Sequence, residues 1–188
     1  QKIPGHTWLT GKPDMWKVLV YYILLMGIIL GAKKLRRRYC YGGFVALVLF
    51  VGIRWYRGYQ ITFLDVGQGD CAVVETKAGQ CFLFDCGSGN KSNVGEKILI
   101  PFLQYQGLGK VDGIFLSHPD SDHINGVLQI IQSKDVKIGK IILPNYEGAE
   151  AAFAELLQYV PAKQVAYVSA GMQFAEEGVR LTCLHPSK

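Results

Sequence analysis

The chain has 188 residues and a formal net charge of +5 at pH 7, a length that accommodates one ordinary domain with additions or two small domains. Residues 1–57 carry ten Lys and Arg against one acid, a net charge of about +9, whereas residues 58–188 carry ten against fourteen acids, about −4. The basic excess therefore belongs to the first third alone. The second part has no bulk positive field, which excludes it as a general electrostatic binder of nucleic acid.

Two long apolar runs account for most of the first third. They are residues 16–32 and 39–55, and each would span about 25 Å as a helix, slightly less than the ~30 Å hydrocarbon core of a membrane. Five cations in six residues, Lys33–Arg38, lie between them. We therefore predict that residues 1–57 form a transmembrane helical hairpin. The alternative is a pair of buried core helices joined by a solvated charge run. A cleaved signal peptide does not fit, because its cations precede a single apolar region.

The cations of the turn predict the orientation of this hairpin. By the positive-inside rule, Lys33–Arg38 stays in the cytoplasm, so the chain after about Arg57 lies outside the membrane. Arg54 and Arg57 at the outer end oppose this orientation, but five cations outweigh two. The expected location is the cell membrane, in a multi-pass protein, with residues 58–188 on the extracytoplasmic side. The chain starts without Met, and we expect it to be a piece of a longer protein.

The second part alternates short β-rich runs with turns and helical patterns. Strands are predicted in "YQITFLDV", "CAVVET", "CFLFDC", "VDGIFLS", "KIIL", "QVAYV" and "VRLTCL". Helices are predicted in "NVGEKILIPFLQYQG", "DHINGVLQIIQS" and "AEAAFAELLQYV". Strand hairpins followed by β-α-β units predict an α/β (α+β) or mixed sandwich whose sheets are covered by helices.

The cysteines of the second part allow one disulfide. If "CAVVET" and "CFLFDC" form a hairpin closed by the turn Lys77–Gln80, Thr76 opposes Cys81 and Cys71 opposes Cys86. Directly opposed cysteines can form a disulfide, and free buried thiols are the alternative. A zinc ribbon is not expected, because the sequence contains no C-x-x-C pair.

The stretch "SHPDSDH" places metal-capable side chains directly after a predicted buried strand; they are His118, Asp120, Asp122 and His123. Carboxylates and imidazoles this close are costly to hold together without a cation among them. The first three alternate along a non-helical turn and can converge on one point, whereas His123 points elsewhere and suits a second metal. We therefore predict a divalent metal centre. The alternative is a polar loop in which Asp120 or Asp122 caps the next helix and the histidines are incidental.

The same residues resemble the H-x-H-x-D-H motif of the metallo-β-lactamase superfamily, with Asp120 at the position of the second histidine. "FLFDCGSG" resembles the family's earlier motif, in which an aspartate ends a strand beside the metal site, and the matching position is Asp85. Together, "FLDVGQGDCAVVET", "LFDCGSG" and "ILIPFLQYQGLGKVDGIFLSHPDSDHINGV" resemble the outer domain of ComEC-type DNA-internalisation proteins, in which aspartate at that position is usual. The apolar hairpin before "DVGQGD" resembles the end of their channel region, so the resemblance covers essentially the whole chain.

The resemblance implies a particular fold. Residues 1–57 would be a transmembrane helical hairpin, and residues 58–188 the N-terminal part of a metallo-β-lactamase-like αββα sandwich that we expect to be incomplete at its C-terminus. The family's bridging aspartate and a further histidine would come from the second half of that fold. We therefore expect residues 58–188 alone to bind metal weakly and to cleave nothing. His185 comes too early to be that histidine, and we expect it to have a structural role.

The resemblance also implies a chemistry. ComEC-type proteins form a membrane channel through which one strand of transforming DNA enters during competence, and their outer domain is thought to degrade the other strand. The implied metal ligands are His118, Asp120, Asp122 and His123, and the implied catalytic residues are Asp85 and Asp122. Two divalent ions are expected. The carboxylate of Asp120 makes the first site harder than a three-histidine zinc site, which favours Mn²⁺ or Mg²⁺, with Zn²⁺ as the alternative.

Three functions stay open at this point. The first is a metal-dependent nuclease that cleaves phosphodiesters of the non-imported strand. The second is a non-catalytic module that guides DNA to the channel, and the third is a metallo-hydrolase on another substrate, since the superfamily also cleaves lactams and thioesters. Expected partners are single-stranded DNA, membrane lipid and other components of the DNA-uptake machinery. Asp65 and Asp70 are expected to support the turn and the ligands, and Asn125 stands where the family more often has Gly-Gly.

Overall fold

The computed structural model describes residues 9–31, 37–52, 58–176 and 179–186. The chain divides into two compact units. One comprises residues 1–55 with 105–107, and the other comprises residues 56–104 with 108–188.

Two helices make up most of the first unit. Helix α1 spans Met15–Gly31 and helix α2 spans Arg37–Gly52, close to the two helices predicted there. Trp16 of α1 packs edge to face on Phe50 of α2, with ring centroids 5.8 Å apart. Among the described residues, no helix combines the length and the apolar character needed to cross a membrane. The membrane hairpin therefore stays a prediction.

Part of that prediction lies outside the described residues. The description stops at Gly31 and resumes at Arg37, so most of the cationic turn Lys33–Arg38 is not covered. Arg54 and Arg57, the two cations at the opposite end of the hairpin, lie outside the described residues as well.

A six-stranded mixed sheet forms the second unit. Its strands stand in chain order, with β1 to β3 antiparallel and β3 to β6 parallel. They are β1 Gln60–Phe63, β2 Ala72–Glu75, β3 Cys81–Phe84, β4 Lys110–Phe115, β5 Lys137–Pro144 and β6 Val165–Val168. A second, antiparallel sheet pairs β7 Gln173–Glu176 with β8 Val179–Thr182.

Helices connect the parallel strands, because a strand that returns parallel to its neighbour needs a crossover connection. Between β3 and β4, a π-helical turn at Gly95–Leu99 runs into α3, Ile100–Gln106. Helix α4, Ser121–Ser133, joins β4 to β5 and buries Ile124, Val127 and Ile130 along one face. The connection to β6 contains α5 Ala149–Ala152, α6 Ala154–Leu157 and a 3₁₀ turn at Ala162–Gln164.

The two faces of the large sheet have different neighbours, because successive side chains of a strand point to opposite faces. Leu83 of β3 lies in the same buried cluster as Val127 of α4. Phe82 and Phe115 lie on the other face and contact Phe174 of β7, with ring centroids 5.6 and 6.4 Å away. Helices therefore cover one face, and the β7–β8 hairpin packs on the other. This layering fits the mixed sandwich predicted for the second part.

The predicted register of the β2–β3 hairpin is wrong by one residue. Cys81 lies opposite Glu75 instead of Thr76, because the turn holds five residues rather than four. Along the same ladder, Cys71 is offset from Cys86 by one position. Both cysteines nevertheless lie in one buried cluster as free thiols, and a hydrogen bond to Cys86, together with burial, raises the pKa of the Cys71 thiol.

Candidate metal centre

Three loops meet at one edge of the large sheet. Strands β3 and β4 are parallel, so the residues that follow them, Asp85 and Ser117, emerge at the same edge. Strand β2 is antiparallel to β3, so Asp70, which precedes it, starts from that edge too. The sheet topology therefore brings "GQGD", "DCGSG" and "SHPDSDH" together, although they are far apart in the sequence.

Glycine allows these loops to touch through their backbones. A Cβ atom on Gly87 would lie 2.4 Å from the carbonyl carbon of Asp122 and 2.5 Å from the amide nitrogen of His123. A Cβ atom on Gly69, whose φ is +154°, would lie 2.5 Å from the Asp122 carbonyl oxygen. The Cys86 amide donates to the His123 carbonyl at 2.8 Å. The start of α4 thus packs directly on the loop that follows β3.

The structure brings three of the four proposed ligands into one group. Ligand atoms of His118, Asp122 and His123 all lie within 4.8 Å of one another. The imidazole rings have centroids 3.8 Å apart, and His123 Nε2 lies 3.7 Å from Asp122 Oδ2. Asp120 is outside this group, but its Oδ2 is 3.6 Å from His118 Nε2.

The alternative prediction is that Asp120 or Asp122 caps helix α4, and the structure agrees with it only in part. Asp120 occupies the N-cap position with an extended backbone, and its carbonyl accepts from the His123 and Ile124 amides. Its carboxylate makes no capping hydrogen bond and is 72% exposed. Because the side chain is not used for capping, it is available beside His118.

Asp85 lies beneath the histidines, with a side chain that is only 13% exposed. Its Oδ2 is 3.1 Å from His123 Nδ1 and 2.7 Å from the Ser117 hydroxyl, and its Oδ1 accepts from the Ser117 amide at 2.8 Å. Its φ of 49° lies in the left-handed region, which is uncommon outside glycine. This carboxylate therefore lies at the back of the site, where it contacts the His123 ring and Ser117.

The side chains of the group fit a divalent metal ion. Imidazole nitrogen and carboxylate oxygen bind Zn²⁺ at about 2.0–2.2 Å, so two ligands of one ion lie about 3–4 Å apart. The 3.7 Å between His123 Nε2 and Asp122 Oδ2 falls in that interval. Asp85, bound to the other ring nitrogen of His123, is the kind of outer partner that metal-ligating histidines almost always have.

Comparison with known families agrees with this geometry. The profile of the Metallo-beta-lactamase superfamily matches residues 64–182, more than half of the chain. The chain belongs to the metallo-beta-lactamase superfamily. Divalent metal binding is typical of this fold, and the matched region contains the whole His and Asp group.

Two curated relatives indicate which type of protein within this superfamily the chain resembles. ComE operon protein 3 of Bacillus subtilis is 29% identical over 120 residues, which are 57% of this chain and 15% of that protein. Recombination protein 2 of Haemophilus influenzae is 36% identical over 76 residues, 40% of this chain and 9% of that protein. Both are of the ComEC type, so the resemblance to that type is confirmed. The chain spans less than a fifth of the length of either relative.

A more distant likeness exists among solved structures. A diphosphatase of the PhnP family superposes with a TM-score of 0.40 at 17% identity, covering 61% of this chain and 42% of its own.

Two residues that help to build the site of this metallo-beta-lactamase domain, Ser117 and Asn125, received no role in it from the sequence. Ser117 joins Asp85 to His118, because its hydroxyl is 2.8 Å from His118 Nδ1 as well. Asn125 connects α4 to the loop after β3 through two hydrogen bonds to Ser88. Its Oδ1 accepts from the Ser88 amide at 3.1 Å, and its Nδ2 donates to the Ser88 carbonyl at 2.7 Å. Two features of the sequence could have indicated these roles. Ser117 is a polar residue directly before the first histidine of the motif, and Asn125 is an amide at a position where the family more often has glycine.

The acids that flank "GQG" have different surroundings. Asp65 Oδ1 accepts from the Gly67 amide at 3.1 Å and from Lys91 Nζ at 2.8 Å. The hydrogen bond from Lys91 is the main cause that lowers the pKa of Asp65. Asp70 instead points to the site, with Oδ2 3.8 Å from His123 Nδ1. Asp65 therefore stabilises the turn, whereas Asp70 lies beside a proposed ligand.

A cavity of about 1250 Å³ opens between the β7–β8 hairpin and the face of the large sheet that carries Phe115. Asp85 and Ser117 line one end of it, and His185 lines it as well, but none of the proposed ligands does. The cavity thus adjoins the back of the site, and His185 is not a member of the group of His118, Asp122 and His123.

Proposed function

We propose that this chain is part of a membrane DNA-uptake protein, and that residues 58–188 belong to a hydrolase that cleaves phosphodiesters of the non-imported strand. The observation that carries the proposal is the group of His118, Asp122 and His123 in a metallo-beta-lactamase domain, with His123 hydrogen-bonded to the buried Asp85. The similarity to ComE operon protein 3 and to Recombination protein 2 supports DNA as the substrate.

The proposed ligands are His118, Asp120, Asp122 and His123, and they would hold two divalent ions, for which Mn²⁺, Zn²⁺ and Mg²⁺ are the candidates. Such ions supply Lewis-acid activation of water and neutralise the charge of a phosphate. The carboxylate of Asp85 orients the rings from the buried side instead of meeting substrate. We accordingly assign Asp85 a positioning role. Of the two implied catalytic residues, only Asp122 then keeps a catalytic role.

The charge of the second part predicts that DNA binding depends on metal, whether the domain is a nuclease or a DNA-guiding module. Residues 58–188 carry a net charge of about −4, which repels a polyanion unless metal ions neutralise the site. We therefore expect DNA to bind this domain weakly without metal.

The direct test is cleavage of a single-stranded DNA oligonucleotide by the natural full-length protein in the presence of Mn²⁺, Zn²⁺ or Mg²⁺. We expect cleavage with at least one metal and none with chelator. Asp122→Asn should slow cleavage at least about 100-fold, because loss of a ligand costs at least as much as loss of an outer partner. The matched control is Glu155→Gln, which neutralises an exposed acid on α6.

Two results would count against the nuclease. Equal cleavage by the wild type and by Asp122→Asn would remove Asp122 from the reaction. If no metal supported cleavage but DNA still bound in a metal-dependent way, the domain would be a DNA-guiding module and not a nuclease.

The hairpin is part of the same proposal. Apolar side chains of both helices are exposed, among them Leu19, Ile23 and Leu30 of α1 and Val45 and Leu49 of α2. A surface of this kind suits lipid rather than water. We propose that the two helices cross the membrane, with Lys33–Arg38 on the cytoplasmic side.

Reporter fusions test this topology. Alkaline phosphatase, which is active only outside the cytoplasm, should give signal when it is fused after Tyr59 and none when it is fused within Lys33–Arg38. Signal from the second fusion, or from neither, would refute the proposed orientation. Blots for the fusion proteins control for expression.

A further inference from the structure

Ser117 occupies the position between the end of β4 and the first histidine of the motif. Its amide donates to Asp85 Oδ1 at 2.8 Å and its hydroxyl donates to Asp85 Oδ2 at 2.7 Å. The same hydroxyl oxygen lies 2.8 Å from His118 Nδ1. Ser117 is thus the only described residue that hydrogen-bonds both to the buried carboxylate and to this imidazole.

The chemistry of the three groups decides where the protons are. An ionised carboxylate can only accept hydrogen bonds, so the single hydroxyl proton of Ser117 points to Asp85. The oxygen of that hydroxyl can then only accept from His118. The Nδ1 atom of His118 must therefore carry a proton, and in a neutral imidazole this leaves the lone pair on Nε2.

His123 has the same tautomer, but it contacts Asp85 directly and not through a serine. Its Nδ1 atom lies 3.1 Å from Asp85 Oδ2 and must donate to it, so its lone pair is on Nε2 as well. Both rings are consequently set by one carboxylate, His123 directly and His118 through Ser117. Each Nε2 also faces an acid of the motif, at 3.6 Å from Asp120 for His118 and at 3.7 Å from Asp122 for His123.

We propose that Ser117 is a positioning residue that relays the orientation set by Asp85 to His118, so that His118 presents Nε2 to a divalent metal. The inference rests on the proposed metal site, but it concerns the metal-free protein. A neutral imidazole in water prefers to carry its proton on Nε2, the nitrogen that must be unprotonated to bind metal. Without the serine hydroxyl, His118 would have to change tautomer before binding.

The test compares three variants of the natural full-length protein, with ¹⁵N-labelled histidine and no metal. Two-bond ¹H–¹⁵N correlations report which ring nitrogen carries the proton. We expect the Nδ1–H form for His118 in the wild type and in Ser117→Thr, which keeps the hydroxyl, and the Nε2–H form in Ser117→Ala. His123 should stay Nδ1–H throughout, and Ser121→Ala, an exposed serine four residues on, is the matched control.

Metal affinity gives the second readout. Competition with a chromophoric chelator should give a Zn²⁺ dissociation constant about 10–100-fold higher for Ser117→Ala, the usual cost of losing an outer partner. The value for Ser117→Thr should be close to that of the wild type.

Two spectra would overturn the inference. One is an Nε2–H tautomer of His118 in the wild type, and the other is an unchanged Nδ1–H tautomer in Ser117→Ala. If Ser117→Ala does not fold, the wild-type and Ser117→Thr spectra still decide, because an Nε2–H tautomer in either contradicts the relay. The tautomers are read without metal or DNA, so a protein with the expected tautomers that cuts no DNA would refute only the proposed nuclease.

Discussion

Replacing His123 with alanine is expected to weaken the binding of Mn²⁺ or Zn²⁺ by the natural full-length protein at least about 100-fold, and to abolish metal-dependent DNA cleavage. The substitution removes one of the three donors that lie within 4.8 Å of one another. It also takes a hydrogen-bond donor from Asp85, whose side chain is only 13% exposed. Leaving a buried carboxylate without one of its hydrogen-bond donors costs free energy, so we expect the rest of the site to rearrange as well.

Chelator competition measures the affinity, and cleavage of a labelled oligonucleotide measures the activity. His185→Ala is the matched control, because it removes an exposed histidine of the same domain that lies outside the group. An affinity of His123→Ala equal to that of His185→Ala would show that the metal site is elsewhere.

Replacing Gly87 with alanine is expected to have the second large effect. The new Cβ atom would lie 2.4 Å from the carbonyl carbon of Asp122 and 2.5 Å from the amide nitrogen of His123, so the start of α4 has to move by roughly 1 Å. We expect the free energy of unfolding to fall by about 1–3 kcal/mol. A displacement of roughly 1 Å in a catalytic site can cost about 100-fold in rate, and we expect a loss of that order.

The same loop offers a matched control. A Cβ atom on Gly89 would meet the Gln68 carbonyl oxygen at 3.5 Å, an ordinary contact, so Gly89→Ala should keep stability and activity close to those of the wild type. Denaturant unfolding and oligonucleotide cleavage measure both effects. If Gly87→Ala behaved like Gly89→Ala, the close packing of this loop on α4 would be unimportant for the site.

The elements of the second unit were largely predictable, because their burial follows a local period. Helix α4 spaces Ile124, Val127 and Ile130 by three residues, and β4 ends in the apolar run "GIF". Strand β7 was missed, since "QFAE" carries little pattern of its own and its Phe174 packs on Phe82 and Phe115, distant in sequence. The predicted helix "AEAAFAELLQYV" is divided at Phe153, which is fully buried.

The β2–β3 hairpin illustrates a different difficulty. Its strands were predicted, but its register was not, because a turn of four residues and one of five are both compatible with "TKAGQ". The choice between them depends on which side chains reach the helix-covered core. Burial of Val73 and Leu83 on that face is a property of the assembled sheet.

The sequence by itself determined which side chains of this protein are able to bind metal, and that they follow a buried strand, because the motif residues are neighbours in the chain. Only the tertiary structure decided which atoms face each other. Asp85 is 32 positions from Ser117 and 38 from His123, and it meets them because β3 and β4 pair in parallel. The direction of each hydrogen bond in that network, and hence the nitrogen that each imidazole presents, follows from contacts that no local pattern contains.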